Sequence, residues 1–189
     1  LNDFKVYEIS MSSKSRVAGV IPEAFSYRGN SCDLNNDFYP FGSRPKNDDN
    51  IKHDEYFMIK SKEAFSKRGA KVVLTMRHSQ NREYIMPKEY NDLALGWEYY
   101  TDNDKWEELK VVDKSNKLTA NGTVEFTVPK DMKVVNINGE EDYWIKCKIE
   151  AGHYGEEEKR EIQEGGVERV VSANTLNPPK LSRVVISYQ

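Results

Sequence analysis

Short runs of alternating apolar and polar residues, cut at close intervals by turn residues, constrain this chain more than any other feature. Lys71–Arg77 places Val72, Leu74 and Met76 on one face. Asp142–Glu150 sets Tyr143, Ile145, Cys147 and Ile149 against Trp144, Lys146 and Lys148. A period of two is the signature of a half-buried strand. Further runs at 4–9, Tyr56–Lys60, Leu95–Tyr100, Trp106–Val112, Val124–Val128 and Leu181–Tyr188 bring the expected total to about eight strands. Asp102-Asn103-Asp104, Asn121-Gly122 and Asn138-Gly139 supply turns between them. Pro129 ends the strand before it, because a proline cannot donate to a ladder. Eleven Tyr, seven Phe and three Trp suit a pleated, half-buried surface. Long 3.6-period stretches are scarce. One short helix is expected where Ser61 can cap a turn carrying Glu63, Ala64 and Phe65, with a stop at Gly69.

The expected fold class is therefore all-β: an antiparallel β-sandwich, jelly-roll-like, with long loops and at most one or two short helices. One domain over 1–189 accounts for the length. Two segments stand apart. Residues 10–54 hold three of the seven prolines among Gly, Asn, Asp and Ser. They read as a long loop draped over the sandwich and pinned by Phe25, Phe38, Tyr39 and Phe41. Residues 156–176 read as an exposed acidic excursion, with Gly165-Gly166 as a flexible hinge. The start at Leu1 rather than Met suggests a fragment of a larger protein.

Charge and chemistry narrow the function. A formal charge of −3, with basic residues spread along the chain, gives no phosphate-binding stripe, so neither nucleic acid nor an anionic membrane is an expected partner. No apolar run approaches the ~20 residues that span a bilayer. Cys32 and Cys147 read as two reduced structural thiols, although pairing stays open. Neither has the close Cys or His neighbours a zinc site needs. The clusters Asp48-Asp49, Asp102-Asn103-Asp104 and Glu156-Glu157-Glu158 lack the spacing of a calcium loop. His53, His78 and His153 lie outside any nucleophile motif. No Gly-rich loop opens a helix to cradle phosphate. Paired carboxylates for glycoside hydrolysis remain a weak third reading. The chain is thus expected to be no enzyme, with no catalytic residue, no metal and no cofactor.

Aromatic residues offer the alternative. Trp97 and Tyr99 share one strand face and Tyr100 takes the other, so one set is core. Tyr100 and Trp106 are then the candidates for stacking on sugars.

Three segments carry a family resemblance. Asp37-Phe38-Tyr39-Pro40-Phe41-Gly42-Ser43-Arg44-Pro45, followed by Glu55-Tyr56-Phe57, is one. The second runs from Leu95-Gly96-Trp97-Glu98-Tyr99-Tyr100 through Lys105-Trp106-Glu107-Glu108-Leu109, Asp113, Leu118-Thr119 and Gly122 to Val124–Pro129. Tyr143-Trp144-Ile145-Lys146 with Gly152 and Tyr154-Gly155 is the third, and Asn177-Pro178-Pro179 through Ser187-Tyr188 extends it. Together these resemble the large J-like baseplate proteins of phage tails and contractile injection systems. Lys114-Ser115, Lys146 and the acidic segment after Gly155 depart from that pattern. The resemblance implies a structural or assembly domain acting through protein–protein contacts, with other baseplate domains or subunits as partners. Its location would be the bacterial cytoplasm during assembly, or a phage or tail-like particle. Phe38, Pro40, Phe41, Gly42, Pro45, Trp97 and Trp144 would be its structural motif residues. The alternative is a carbohydrate- or cell-wall-binding module that contacts cell-surface glycan through Tyr100 and Trp106.

Overall fold

A computed structural model describes residues 15–43, 55–79, 92–163 and 166–189. The strands are β1 (Val17–Val20), β2 (Ala24–Tyr27), β3 (Asn30–Cys32), β4 (Tyr56–Lys60), β5 (Lys71–His78), β6 (Ala94–Tyr100), β7 (Trp106–Glu108) and β8 (Val112–Asp113). They continue as β9 (Gly122–Thr127), β10 (Val135–Ile137), β11 (Glu140–Asp142), β12 (Trp144–Ala151), β13 (Lys159–Ile162), β14 (Glu168–Ser172) and β15 (Leu181–Tyr188). A five-stranded sheet has the order β1-β15-β5-β9-β8, and a six-stranded sheet the order β3-β2-β4-β12-β6-β7. All pairings are antiparallel, and the chain is an all-β sandwich. The single helix among the described residues, α1 (Lys62–Phe65), starts where Ser61 accepts a hydrogen bond from the Ala64 amide at 3.3 Å. No helix among them is long and apolar enough to cross a membrane.

The period-two pattern decides which side chains meet between the sheets. Val72, Leu74 and Met76 point inward from β5. Phe57 and Ile59 do so from β4, Trp97 and Tyr99 from β6, and Ile145, Cys147 and Ile149 from β12. With Val124, Phe126, Val184 and Ile186 they form one continuous core. Trp144 is buried too, but on the outer face of its sheet. There Lys60 Nζ lies 5.9 Å from its ring centroid and pairs with Glu140 of β11 at 2.5 Å, and an Asn138 side-chain hydrogen bond to the Gly29 carbonyl ties down the β10–β11 turn.

Three expectations need correction. The segment 10–54 is not a loop throughout, because β1, β2 and β3 lie within it. Its β2–β3 turn is Arg28-Gly29, with φ of 47° and 81°. Both central residues are left-handed, as a tight hairpin requires. Arg28 hides that signal, since an arginine rarely adopts such a conformation. Trp106–Val112 is not one strand either. Leu109 is buried, and its amide donates to the Trp97 carbonyl at 2.7 Å. The chain then crosses over, so that β8 pairs with β9 in the opposite sheet. The described residues of 156–176 are largely exposed, yet they are not an irregular excursion, because they contain the paired strands β13 and β14.

Phe25, Phe38 and Phe41 do pin the early segment. Phe38 exchanges backbone hydrogen bonds with Leu181 at 2.9 and 2.8 Å and stacks on Phe25 at 4.7 Å. Phe41 is fully buried, edge-on to Phe57 at 5.6 Å and stacked on Tyr154 at 5.7 Å. Gly42 follows with φ of +77°, and a Cβ there would meet the Tyr27 hydroxyl at 2.6 Å. Tyr39 is half-buried, with Lys180 Nζ 5.7 Å from its ring centroid. The proposed strand at 4–9, Arg44, Pro45, Asp48-Asp49 and His53 lie outside the described residues.

A second plug also involves Tyr154. Asn116, Lys117 and Leu118 are all left-handed, with φ of 51°, 59° and 60°. Such a conformation costs a non-glycine residue roughly 1–2 kcal/mol. The Leu118 amide donates to Ser115 Oγ at 3.0 Å, and the Tyr154 hydroxyl donates to the Lys117 carbonyl at 2.7 Å. Asp113 Oδ1 in turn accepts from the Ser115 amide and hydroxyl at 2.7 and 2.5 Å. The gain is the complete burial of Leu118. Gly122 is needed because a Cβ would collide with the Lys114 carbonyl, rather than for a turn.

Candidate interaction surface

The sequence from Glu156 to Ser172 carries six glutamates, at 156, 157, 158, 161, 164 and 168, against Lys159, Arg160 and Arg169. Aliphatic residues are interleaved with them. In the fold this stretch forms a two-stranded ribbon that pairs with no other described strand. Its base is fixed to the sandwich: the Glu156 carbonyl accepts from the Thr175 and Leu176 amides at 2.9 Å each, and the Asn177 amide donates to the Tyr154 carbonyl at 2.7 Å. Arg160 bridges to Glu158 at 2.5 Å and to Glu168 at 3.2 Å. Ile162 is 76% exposed and Val167 62%, and Val170 and Val171 are about half exposed. Single apolar residues scattered over a surface are ordinary, but four on one small ribbon are a concentration of exposed aliphatics. A register shift between Lys159 and Arg160 marks a bulge, which changes where the neighbouring side chains point.

Sequence reasoning missed this ribbon as structure. The signal was present, because Gly165-Gly166 between Glu161-Ile162 and Val167–Val171 is a hairpin turn pattern.

The outer face of the six-stranded sheet holds the aromatic candidates. Register places Tyr100 opposite Trp106, Glu98 opposite Lys146, and Lys148 opposite Tyr56. Tyr100 and Trp106 meet edge-on, at 5.6 Å and 67°. Lys146 Nζ lies 4.5 Å from the Trp106 ring centroid and pairs with Glu98. Lys148 pairs with the same carboxylate at 2.5 Å. Burial opposes ionisation of Glu98, but its hydrogen bonds to Lys146 and Lys148 outweigh it and hold the carboxyl below its ordinary value. Of the two sets that alternation separates, Trp97 and Tyr99 are the core one. Burial raises the Tyr99 hydroxyl to about 12, and Asp131, at 3.1 Å, adds to the effect.

The remaining candidates are dispersed. Phe38, Pro40, Phe41, Trp97 and Trp144 are buried and hold the fold together. Cys32 and Cys147 are both free. β2 and β4 lie between their strands, a separation of roughly 14 Å at ~4.8 Å per strand. A disulfide requires Cα atoms within about 7 Å. Burial also pushes the Cys147 thiol well above its ordinary value. His78 ends β5, and burial lowers its pKa. No group of three or more potential metal ligands occurs among the described residues.

Comparison with protein-family models finds no match, and no curated protein matches the sequence.

Proposed function

We propose that the chain is an assembly domain that works through protein–protein contacts and performs no catalysis. The ribbon of β13 and β14 carries this reading. It presents Ile162, Val167, Val170 and Val171 to solvent from a base hydrogen-bonded to the sandwich. Such an element has little to contribute to the core, while buried apolar contact drives association. The resemblance of the three sequence segments to J-like baseplate proteins supplies the setting. That setting is a phage tail or contractile injection machine, with neighbouring baseplate domains or subunits as partners.

The glycan-binding alternative draws less support. A sugar platform wants flat, accessible rings, whereas Tyr100 and Trp106 meet at 67° and Lys146 sits over Trp106.

Capture experiments from the native source, run beside a glycan array, test the proposal. The parent chain should retain assembly proteins, and Ile162→Glu with Val170→Glu should release them while the array stays silent. Saturable glycan binding that Trp106→Ala abolishes without unfolding, and no protein capture, would reverse the assignment.

A further inference from the structure

We infer that the acidic ribbon of one copy docks into a basic groove of a second copy, head to tail. The inference rests on the assembly reading and names the partner that the ribbon fits.

A groove of about 590 Å3 crosses the five-stranded sheet at the end marked by Lys71, Thr127 and Gln189. Val73, Val112 and Tyr188 give it apolar surface, and Arg16, Lys71 and Lys110 supply positive charge. All three cations are exposed and form no ion pair among the described residues. One carboxylate, Glu125, also lines the groove and is paired with Lys114 at 2.6 Å, while the Tyr188 hydroxyl donates to Glu63 at 3.2 Å.

The ribbon has the opposite chemistry. Its six glutamates outnumber its cations by three, and its apolar residues are exposed aliphatics. Dimensions agree as well. Strands of four and five residues span roughly 13–17 Å, and a groove reaching from β1 to β8 crosses four strand spacings, about 19 Å.

Position makes the contact intermolecular. The ribbon leads through Pro178-Pro179 to Leu181, paired with His78 at one end of β15 and β5. The groove lies at the other end, where the Lys71 amide donates to the Gln189 carbonyl at 2.9 Å. Two different surfaces at opposite ends give a heterologous contact, which builds rings or filaments rather than closing as a symmetric dimer.

Sedimentation velocity on the full 189-residue chain tests the inference. The parent should associate increasingly with concentration, and more weakly as salt rises. A ribbon variant, Ile162→Ser with Val170→Ser, and a groove variant, Lys71→Glu with Lys110→Glu, should each sediment as monomers with unchanged melting temperature. Mixed together, they should form a one-to-one complex and nothing larger, because only one ribbon and one groove remain intact. A parent that stays monomeric throughout, or a mixture that stays monomeric, overturns the inference. So does a dimer that survives in both variants. A monomeric parent whose ribbon still captures other assembly proteins sinks the self-pairing alone and leaves the assembly reading standing.

Discussion

Replacing Phe41 by alanine probes whether the segment 38–43 is part of the core or an attachment to it. The ring is fully buried between Phe57 and Tyr154. Removing it forfeits roughly 1.5–3 kcal/mol of transfer free energy. The two aromatic contacts contribute about 0.5–1.5 kcal/mol each beyond burial. Relaxation around the cavity recovers part of the loss, so the expected cost is about 3–5 kcal/mol. A chain of this size loses roughly 2–4 °C of Tm per kcal/mol. The melt should therefore fall by about 6–20 °C, read by circular dichroism with urea unfolding as a check. Phe41→Leu should cost clearly less, since a leucine refills much of the space. A drop under about 2 °C for Phe41→Ala would refute the reasoning and leave the segment peripheral.

Tyr154→Phe should cost about 1–3 kcal/mol in urea unfolding, because it leaves the Lys117 carbonyl of a left-handed turn without its donor. Glu98→Gln should destabilise by about 1–2 kcal/mol at pH 7, a figure discounted for partial exposure. The folded-state pKa of Glu98 is depressed, so its contribution is complete above the unfolded value and disappears as pH falls through the folded one. Melts of parent and variant should therefore converge under acid conditions. His78 has a folded pKa below 6.5, so the unfolded chain binds its proton first and stability declines as pH drops below 6.5. His78→Asn should flatten that part of the stability profile, and an unchanged slope would remove His78 from the account.

How much could be read from the sequence depended on whether a residue's role was local. Val72, Leu74 and Met76 declare their face through alternation, and so do Ile145, Cys147 and Ile149. The Ser61 cap and the Asn138-Gly139 turn, with φ of 55° and 86°, are equally local. Sheet assignment is not local. Nothing within Trp106–Val112 announces that Leu109 must be buried and that Val112 then joins β9. The left-handed run Asn116-Lys117-Leu118 is held by Ser115 and by Tyr154, the latter 37 positions away in the chain. Trp144 alternates out of the core cluster yet is buried, with Lys60 Nζ 5.9 Å from its ring. The ribbon is concealed for a different reason: its charges resemble those of a solvated loop, and the sequence Gly165-Gly166 suits a hinge as well as a turn.

Deleting the ribbon tests the central claim most directly. Glu156 and Thr175 already meet, with the Glu156 amide donating to Thr175 Oγ1 at 3.1 Å, so a short glycine linker can replace 158–173. Cross-linking in the native source, read by mass spectrometry, would then compare parent and ribbon-less chains for every protein they contact, further copies included. The account predicts an unchanged melting temperature together with loss of the contacts that the parent makes through Lys159 and its neighbours. The same partners captured with and without the ribbon would contradict it.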